Sequence, residues 1–508
     1  MPINPRRGHV VPLFLLLLFL CSVQFAVSAV AQEAPATVAK SKAATRGSRA
    51  QAVPAVCAAC IRGHMEFLAS DALQGRGSGT HDELLAATYI GSELRSYGIE
   101  PAGDDGGYIQ KATLIKRKIG APPEISFVAD DGAKGQITTW THGKEMVVRR
   151  LTQVEFSGPL QKINVDGDDA AVGLNVKPGA VVFLTGKDEK KVRDQIFATI
   201  LRGAVAVLVP VSAAGRKRWE ADGKEFPEIA PAVEGSSQGA MGNINILAVD
   251  DGAQDALHKL AEGTVMHFAG HATDPEKSYT WNAVGILRGG DPAQKKNAIL
   301  ITAHLDHLGI GAPVNGDTIY NGADDDASGT TAVLELARVL GQGPKPRRTV
   351  IFALFGSEES GGLGSTYFRE HPPLPLADIA ANLEFEMIGR ADPKVADDTL
   401  WLSGWERSNL GPQLAAHGAK LVGDPHPEQN FFRRSDNYVL AQQGVVAQTA
   451  SSYGLHSDYH QPSDDLAHID FQHMTTAIGS LIRPMEWLVN TDFRPQWNPG
   501  GKPASGTP

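Results

Sequence analysis

The stretch NAILITAHLDHLG, residues 297–309, begins as an apolar run and ends in three polar side chains, His304, Asp306 and His307. An apolar run of this length indicates a strand buried on both faces, as in a parallel sheet. Three later stretches have the same form, namely RRTVIFALFGSEES (347–360), DIAANLEFEMIGR (378–390) and GVVAQTASS (444–452). The pattern therefore predicts several buried strands, each ending in polar residues.

Segments with a helical pattern lie between and after these strands. GTTAVLELARVLG (329–341) and TTAIGSLIRPMEWLVN (475–490) are the clearest of them. Strands that alternate with helices predict an α/β fold with a mostly parallel-stranded sheet flanked by helices. In such sheets ligands bind beyond the carboxyl ends of the strands, which is where the polar residues lie.

The polar clusters hold the side-chain types that bind divalent metals. In chain order they contain His304, Asp306 and His307; Asp324, Asp325 and Asp326; Glu358 and Glu359; Glu384 and Glu386; and Tyr459 and His460. One such cluster alone is more often a structural hydrogen-bonding group, a solvated face or a helix cap. Imidazoles and carboxylates that converge at one edge form a site suited to zinc, with cobalt or manganese as alternatives.

With these clusters in this order, the sequence resembles the co-catalytic dizinc aminopeptidases, whose relatives include glutamate carboxypeptidases and glutaminyl cyclases. The similarity covers residues of about 60–135 and 275–490. It implies the fold of a zinc peptidase and two Zn²⁺ ions as cofactors.

The resemblance also implies a set of metal ligands. His304 and Glu386 would bind the first metal, Glu359 and His460 the second, and Asp325 would bridge both. A carboxylate shared by two cations explains why NGADDDASGT (321–330) keeps three acids in a row. The Asp325–Asp326 peptide matches a bond that is often cis in the relatives.

Three further residues match the family's catalytic positions. Glu358 corresponds to the general base, Asp306 to the acid that supports the first-metal histidine, and Tyr459 to a phenol that hydrogen-bonds the oxyanion. The position of Glu386 departs from the family, because many members have aspartate there. Glu384 points to the same strand face, but the sequence MIGR after Glu386 matches the motif, which favours Glu386.

The implied activity is that of a metallo-aminopeptidase acting on peptide substrates. A carboxypeptidase or a glutaminyl cyclase of the same fold is the alternative within enzymes, and a metal-free binding relative is the alternative outside them. A cyclase works with a single zinc, and a binding relative is expected to have lost ligands. This chain keeps all five ligand positions and the adjacent base, which favours the peptidase.

Residues 145–265 have a different pattern, with short apolar runs such as AVVFLTG (180–186) and AVAVLVP (204–210) between polar turns. We interpret this region as an inserted β-rich domain that resembles the protease-associated domain. The peptidase domain would then consist of residues 55–144 and 266–492. The Pro/Gly-rich tail, 493–508, is predicted to be disordered.

The N-terminus has the features of a secretory signal. Arg6 and Arg7 precede an apolar run, and small residues follow at Ala29 and Ala31. We therefore predict a signal peptide over 1–31, a flexible leader over 32–54 and export to the periplasm or the medium. An N-terminal anchor is the alternative. No later apolar run is long enough to span a membrane.

Two cysteines remain after removal of the signal, in the sequence CAAC. In an exported protein, a local disulfide between Cys57 and Cys60 is the favoured interpretation. A redox motif would need a thioredoxin-like strand before it, and a zinc site would need further ligands besides His64.

The composition is that of an ordinary globular protein, with 42% hydrophobic and 20% charged residues in a chain of 508. The formal net charge of −10 argues against a nucleic-acid partner. The sequence does not indicate an oligomeric state.

Overall fold

The stretch 297–309 supplies a central strand of a ten-stranded sheet in the computed structural model. The structure describes residues 54–128, 136–167, 175–236 and 244–503. The strands of this sheet are β1 (Glu100–Pro101), β2 (Ile109–Lys118), β9 (Glu228–Val233), β12 (Glu276–Leu287), β13 (Ala298–His304), β16 (Val350–Phe355), β17 (Ile379–Phe385), β18 (Leu400–Leu402), β19 (Leu421–Gly423) and β20 (Val446–Ser451). Their order is β19-β18-β20-β17-β13-β16-β12-β2-β9, and β1 pairs with β12. The four apolar stretches are all strands, as predicted.

Parallel pairing is confined to part of this main sheet. Strands β20, β17, β13 and β16 pair in parallel at its centre, so their carboxyl ends meet at one edge. Strands β12, β2 and β9 pair antiparallel on one side, and β18 pairs antiparallel with β20 on the other. The prediction of an α/β fold is confirmed, but the sheet is mixed rather than mostly parallel.

Helices cover both faces of the main sheet. They are α1 (Ala58–Leu68), α2 (His81–Ser96), α6 (Gly329–Gln342), α7 (Leu363–Glu370), α8 (Leu410–Ala416), α9 (Asn437–Gln442) and α10 (Phe471–Asn490). Ile299 and Ile301 of β13 pack into a core with α1, α2, α6 and α10, whereas Leu300 packs into a second core with α7 and α9. Alternate residues of the strand thus face opposite layers, which explains its continuous apolar sequence.

A second, eight-stranded sheet lies between the two parts of the main sheet in sequence. Its strands are β3 (Glu124–Val128), β4 (Ile137–Thr141), β5 (Met146–Arg150), β6 (Glu155–Asn164), β7 (Val181–Thr185), β8 (Ala206–Pro210), β10 (Ile246–Val249) and β11 (Val265–Ala269). Helices α3 (Glu189–Leu201), α4 (Ala213–Asp222) and α5 (Asp251–Lys259) accompany it. Phe127, Trp140, Phe156 and Phe268 belong to a core of its own. Strands β14 (Gly309–Val314) and β15 (Asp317–Tyr320) form a separate hairpin.

The second sheet and the span 145–265 do not coincide. The sheet begins earlier, at β3, and ends later, at Ala269. Strand β9 lies inside that span and yet pairs with β2 of the main sheet. Strands β3 and β4 lie before residue 145, and no change in composition there marked the start of the second sheet. The assignment of this region as a protease-associated domain stays a prediction.

The predictions for the N-terminal segment cannot be compared with the structure. Residues 1–53 lie outside the described residues, and with them the predicted signal and nearly all of the leader. Among the described residues, no helix is long and apolar enough to cross a membrane.

At the C-terminal end, residues 493–503 are packed against the main sheet region, because Trp497 bridges to Ser408 and donates to the Gly444 carbonyl at 3.2 Å. This part of the tail is therefore ordered, contrary to the predicted disorder.

The predicted disulfide is confirmed. Cys57 and Cys60 are joined with an S–S distance of 2.08 Å. Cys57 is the N-cap of α1, and its backbone N–H donates to the Glu335 carboxylate of α6 at 2.6 Å. The pair therefore lies at the start of the first helix and beside the main core, which is a structural position.

Candidate metal centre

The parallel strands deliver their polar clusters to one edge of the main sheet. His304 is the last residue of β13, Glu358 and Glu359 follow β16, Glu386 follows β17, and His460 lies in the loop after β20. Asp325 comes from the turn before α6, which packs beside the same edge. Residues far apart in sequence thus meet because their strands are neighbours in the sheet.

Asp325 lies between two histidines. Its Oδ1 is 3.1 Å from His304 Nε2, and its Oδ2 is 3.3 Å from His460 Nε2. His460 Nε2 is also 3.1 Å from Glu359 Oε2. One carboxylate oxygen therefore faces each imidazole, which is the arrangement expected of a carboxylate shared by two ions.

The two neighbouring acids are occupied elsewhere. Asp324 accepts from the Gly389 backbone N–H at 2.7 Å and lies 2.9 Å from His456 Nε2. Asp326 accepts from the backbone N–H groups of Gly329 and Met387, each at 3.0 Å. The Asp325–Asp326 peptide is cis, as the resemblance predicted. Two of the three acids hold the loop, and the middle one faces the histidines.

Asp464 and Arg76 fix the backbone of this loop. The Asp464 carboxylate accepts from the backbone N–H groups of Asp324 at 2.9 Å and Asp325 at 3.0 Å. The guanidinium of Arg76, 1% exposed, donates to the carbonyls of Asn321 and Gly322 at 2.8 and 2.9 Å. The roles of Arg76 and Asp464 were not recognised in the sequence. Both residues are distant in the chain from the loop, and both bind its backbone atoms rather than its side chains.

Replacing Arg76 by methionine should lower the free energy of unfolding by about 3 kcal/mol or more. The substitution leaves several buried carbonyls without a donor, and hydrogen bonds to charged groups contribute about 1.5–3 kcal/mol each. The matched control is Arg288→Met, which removes an exposed arginine paired with Glu100 at 2.9 Å and should cost less than about 1 kcal/mol. Urea unfolding of both variants measures the difference, and equal midpoints would contradict the role of Arg76.

Asp306 connects the first histidine to the proposed base. Its Oδ1 accepts from the Glu358 backbone N–H at 2.9 Å and lies 3.6 Å from His304 Nδ1. Its Oδ2 accepts from the Ser78 hydroxyl at 2.6 Å. Asp306 therefore holds the backbone at Glu358 while facing the far nitrogen of His304, so that Nε2 is left for a ligand.

The adjacent glutamates Glu358 and Glu359 differ in their electrostatics. Burial raises the pKa of Glu358 well above its usual value, and the nearby acids Asp436 and Glu359 raise it further. Burial also opposes ionisation of Glu359, but its close contacts with the His307 and His460 imidazoles outweigh that effect and lower its pKa to about 2. One carboxylate is suited to holding a proton and the other to remaining an anion.

The structure separates Glu384 from Glu386. The Glu384 carboxylate accepts three hydrogen bonds at 2.7–2.8 Å, from Ser435 Oγ, the Asn437 backbone N–H and Thr449 Oγ1. Glu386 instead lines the same cavity as Asp325 and Glu359. Burial raises the pKa of both glutamates to about 7. Since the hydrogen bonds of Glu384 occupy both its oxygens, Glu386 is the better placed of the two to bind a ligand.

A cavity of about 340 Å³ opens over these residues. One wall is aromatic, formed by Trp401 and Phe431, stacked at 5.1 Å between ring centroids, and by Tyr453. Tyr459 lies against His460 with a centroid distance of 3.8 Å, and burial raises the pKa of its phenol well above the usual value. The phenol therefore stays protonated and can donate a hydrogen bond in the cavity.

His307 also belongs to the centre, although the resemblance gave it no role. It is fully buried, and its Nδ1 lies 2.9 Å from Glu359 Oε1 and 3.9 Å from Asp325 Oδ2. His307, Asp325 and Glu359 together could hold a metal ion. The second histidine of AHLDH was visible in the sequence, but nothing there distinguished a residue of the centre from a core histidine.

The donor set fits divalent zinc. Zinc bonds of about 2.0–2.2 Å in a tetrahedral site separate neighbouring ligand atoms by about 3.3–3.6 Å. The separations around Asp325 and His460 are 3.1–3.3 Å. Within the described chain, the buried His460 Nε2 has no hydrogen-bond partner of suitable geometry, which is expected of a lone pair directed at a metal.

A family model described as peptidase family M28 matches residues 282–483. Over these residues the chain is similar to peptidase family M28. The match includes β13, β16, β17 and β20 of the main sheet, and hence all five predicted ligands. The M28 region thus coincides with the part of the chain that forms the candidate metal centre.

Similar proteins extend the comparison. The "Probable lipoprotein aminopeptidase LpqL" of Mycobacterium tuberculosis is 27% identical over 257 residues, 44% of this chain and 47% of that protein. Aminopeptidase YwaD of Bacillus subtilis is 25% identical over 208 residues, 40% of this chain and 43% of its own length. The solved aminopeptidase from Aneurinibacillus sp. strain AM-1 superposes with a TM-score of 0.49 at 17% identity, over 86% of this chain and 94% of that one. The matched part of this chain spans less than half the length of these two curated relatives.

Proposed function

We propose that the protein is an exported metallo-aminopeptidase that removes N-terminal residues from peptides. The observation that carries the proposal is the position of Asp325 between His304 and His460, at 3.1 and 3.3 Å, beside a cavity that Glu358 and Glu359 line. His304, Asp325 and Glu386 would hold one Zn²⁺, and Asp325, Glu359 and His460 a second. Cobalt or manganese would suit the same donors.

Two bound zinc ions would supply an activated water molecule and polarise the scissile carbonyl. Glu358 would transfer the protons, because it lines the same cavity and is not a metal ligand in this proposal. Its carboxylate would accept a proton from the attacking water and pass it to the amine that leaves. The raised pKa of Glu358 suits the second of these steps, because a carboxylic acid that holds its proton is a better donor to the amine.

Asp306 and Tyr459 would support this reaction from two sides. Asp306 positions the base through the Glu358 backbone N–H and faces His304. The Tyr459 phenol lines the cavity beside His460 and would donate a hydrogen bond to the oxyanion of the tetrahedral intermediate. Each of these groups is fixed by packing before the substrate arrives, which lowers the cost of reorganisation.

The size and position of the cavity support an exopeptidase. Its volume of about 340 Å³ is at the small end of the range for small-molecule sites, so a chain end fits and a folded protein does not. The aromatic wall of Trp401, Phe431 and Tyr453 would take the side chain of the first residue. The names of the curated relatives, which are aminopeptidases, favour attack at the amino end over attack at the carboxyl end. Export rests on the predicted signal over 1–31.

Zinc-loaded protein should hydrolyse leucyl and alanyl p-nitroanilides and should not hydrolyse the same compounds after N-acetylation. An aminopeptidase needs a free amino terminus, so blocking it removes the substrate. Hydrolysis of N-acetylated peptides at their carboxyl end would instead support the carboxypeptidase alternative. Release of ammonia from N-terminal glutamine, without hydrolysis of any peptide, would support the glutaminyl cyclase.

A further inference from the structure

The cavity over the metal centre receives two residues from the second sheet. Arg150, the last residue of β5, and Ile200 of α3 both line it together with Glu358 and Asp325. Arg150 also lines a neighbouring groove of about 1010 Å³, which Glu359 and Ser360 border. The guanidinium therefore lies where the two spaces adjoin, beside the proposed base.

The guanidinium of Arg150 differs from that of its neighbour in having no ion-pair partner among the described residues. Arg149 forms an ion pair with Asp222, a short contact. The Arg150 backbone pairs with β10, but its guanidinium makes neither a hydrogen bond nor an ion pair within the described residues, although it is partly buried and within electrostatic reach of Glu358. Burial lowers the pKa of its guanidinium, which means that the charge is poorly compensated by the protein. Partly buried guanidinium groups are ordinarily paired, so an unpaired one beside a cavity points to a ligand that pairs with it.

The other arginines of the cavity are engaged. Arg434 lies over the Phe431 ring at 5.0 Å, and its charge partly offsets the burial that raises the pKa of Glu386. Arg433 lies 5.7 Å from the centroid of Tyr438. Among the described arginines that line the cavity, Arg150 is thus the one whose guanidinium has no hydrogen bond, ion pair or ring contact with a side chain.

We propose that Arg150 binds a carboxylate of the peptide substrate, so that the protein prefers short peptides carrying a negative charge near the scissile bond. The carboxylate is either the C-terminal group of a dipeptide or the side chain of an acidic residue. An arginine matches both through its two parallel N–H donors. The inference deepens the proposed function, and it makes the second sheet a part of the substrate site.

Steady-state kinetics with four dipeptides test the proposal on the zinc-loaded full chain. The substrates are leucylglycine, leucylglycinamide, which carries no carboxylate, the α-amide of leucylaspartate and the amide of glutamylglycine. The wild type should show a kcat/KM at least about tenfold higher for one or more of the three carboxylate-bearing substrates than for leucylglycinamide, as hydrogen bonds to charged groups allow. Preference for leucylglycine identifies the C-terminal carboxylate, and preference for either acidic amide identifies a side chain.

Arg150→Gln should bring that ratio close to one, because kcat/KM should fall more for the carboxylate-bearing substrates than for leucylglycinamide. Arg150→Lys should restore part of the preference, because it keeps the charge but loses the paired donors. The matched control is Lys144→Gln, which removes one positive charge from the exposed turn before the same strand and should leave the ratio at the wild-type value. Thermal melting of all variants reports whether the fold is intact.

Two results would overturn the proposal. One is a wild type whose kcat/KM is the same for the carboxylate-bearing dipeptides and for leucylglycinamide. The other is an Arg150→Gln variant that loses kcat/KM equally for all four substrates, since that pattern assigns Arg150 to the electrostatics of Glu358 instead of the substrate. Failure of the wild type to hydrolyse any of the four, with zinc bound, would refute the proposed aminopeptidase and is distinct from both.

Discussion

Asp325→Asn should reduce the zinc content of the protein from the two ions per chain that we propose to one or none, and should lower peptide hydrolysis by more than about 100-fold. Removing a group that only hydrogen-bonds a metal ligand already lowers activity by up to about 100-fold. Asp325 is itself the shared ligand in the proposed centre, so its loss should lower activity by more. Asparagine has the shape of aspartate but keeps one acceptor oxygen and no charge. It cannot face both His304 and His460 with an oxygen, as Asp325 does at 3.1 and 3.3 Å.

The matched control for this substitution is Asp324→Asn, one residue earlier in the same loop. Asp324 faces His456 and the Gly389 backbone N–H rather than His304 and His460. The control should lower the melting temperature while keeping both ions. Zinc is measured by mass spectrometry of the metal after dialysis against metal-free buffer. Two retained ions in the Asp325 variant would remove this residue from the bridging position.

The parts of the centre that could be predicted from the sequence are those that depend on parallel strands. His304, Glu359, Glu386 and His460 each follow an apolar run, and neighbouring parallel strands bring their carboxyl ends to one edge. The convergence of these residues follows from that rule alone. The role of each residue in the metal centre came from the resemblance, and those roles remain proposals.

The parts that could not be predicted depend on packing between distant segments. Arg150 reaches the cavity only because β5 of the second sheet lies beside the main sheet, and no periodicity in the sequence specifies how two sheets pack. Arg76 stabilises backbone carbonyls, which have no sequence signature. The tail was predicted to be disordered from its Pro/Gly composition, but Trp497 and Asn498 bind it to the carbonyls of Gly444 and Glu406. In each case long-range contacts outweigh the local pattern.

The last prediction separates the two adjacent glutamates. Glu358→Gln should lower kcat by about 10²–10⁴, the usual cost of losing a general base, with zinc content at the wild-type level. Glutamine keeps the size of the side chain and cannot accept and return a proton. Glu359→Gln should instead empty one site, because it removes an anion whose pKa of about 2 reflects its contacts with His307 and His460. Activity of that variant should rise when zinc is added in excess, whereas added zinc should do nothing for Glu358→Gln.

These two substitutions are chemically identical and lie at consecutive positions, so each is the control for the other. Both side chains line the same cavity, and a general loss of folding would affect zinc content and kcat in both variants together. If the two glutamates have different roles, Glu359→Gln should lose zinc, and Glu358→Gln should keep its zinc and lose turnover. The reverse assignment, in which Glu358→Gln loses zinc and Glu359→Gln keeps both ions but turns over slowly, would exchange the two roles. It would also mean that the ion pairs of Glu359 with His307 at 2.9 Å and with His460 at 3.1 Å do not mark a metal ligand.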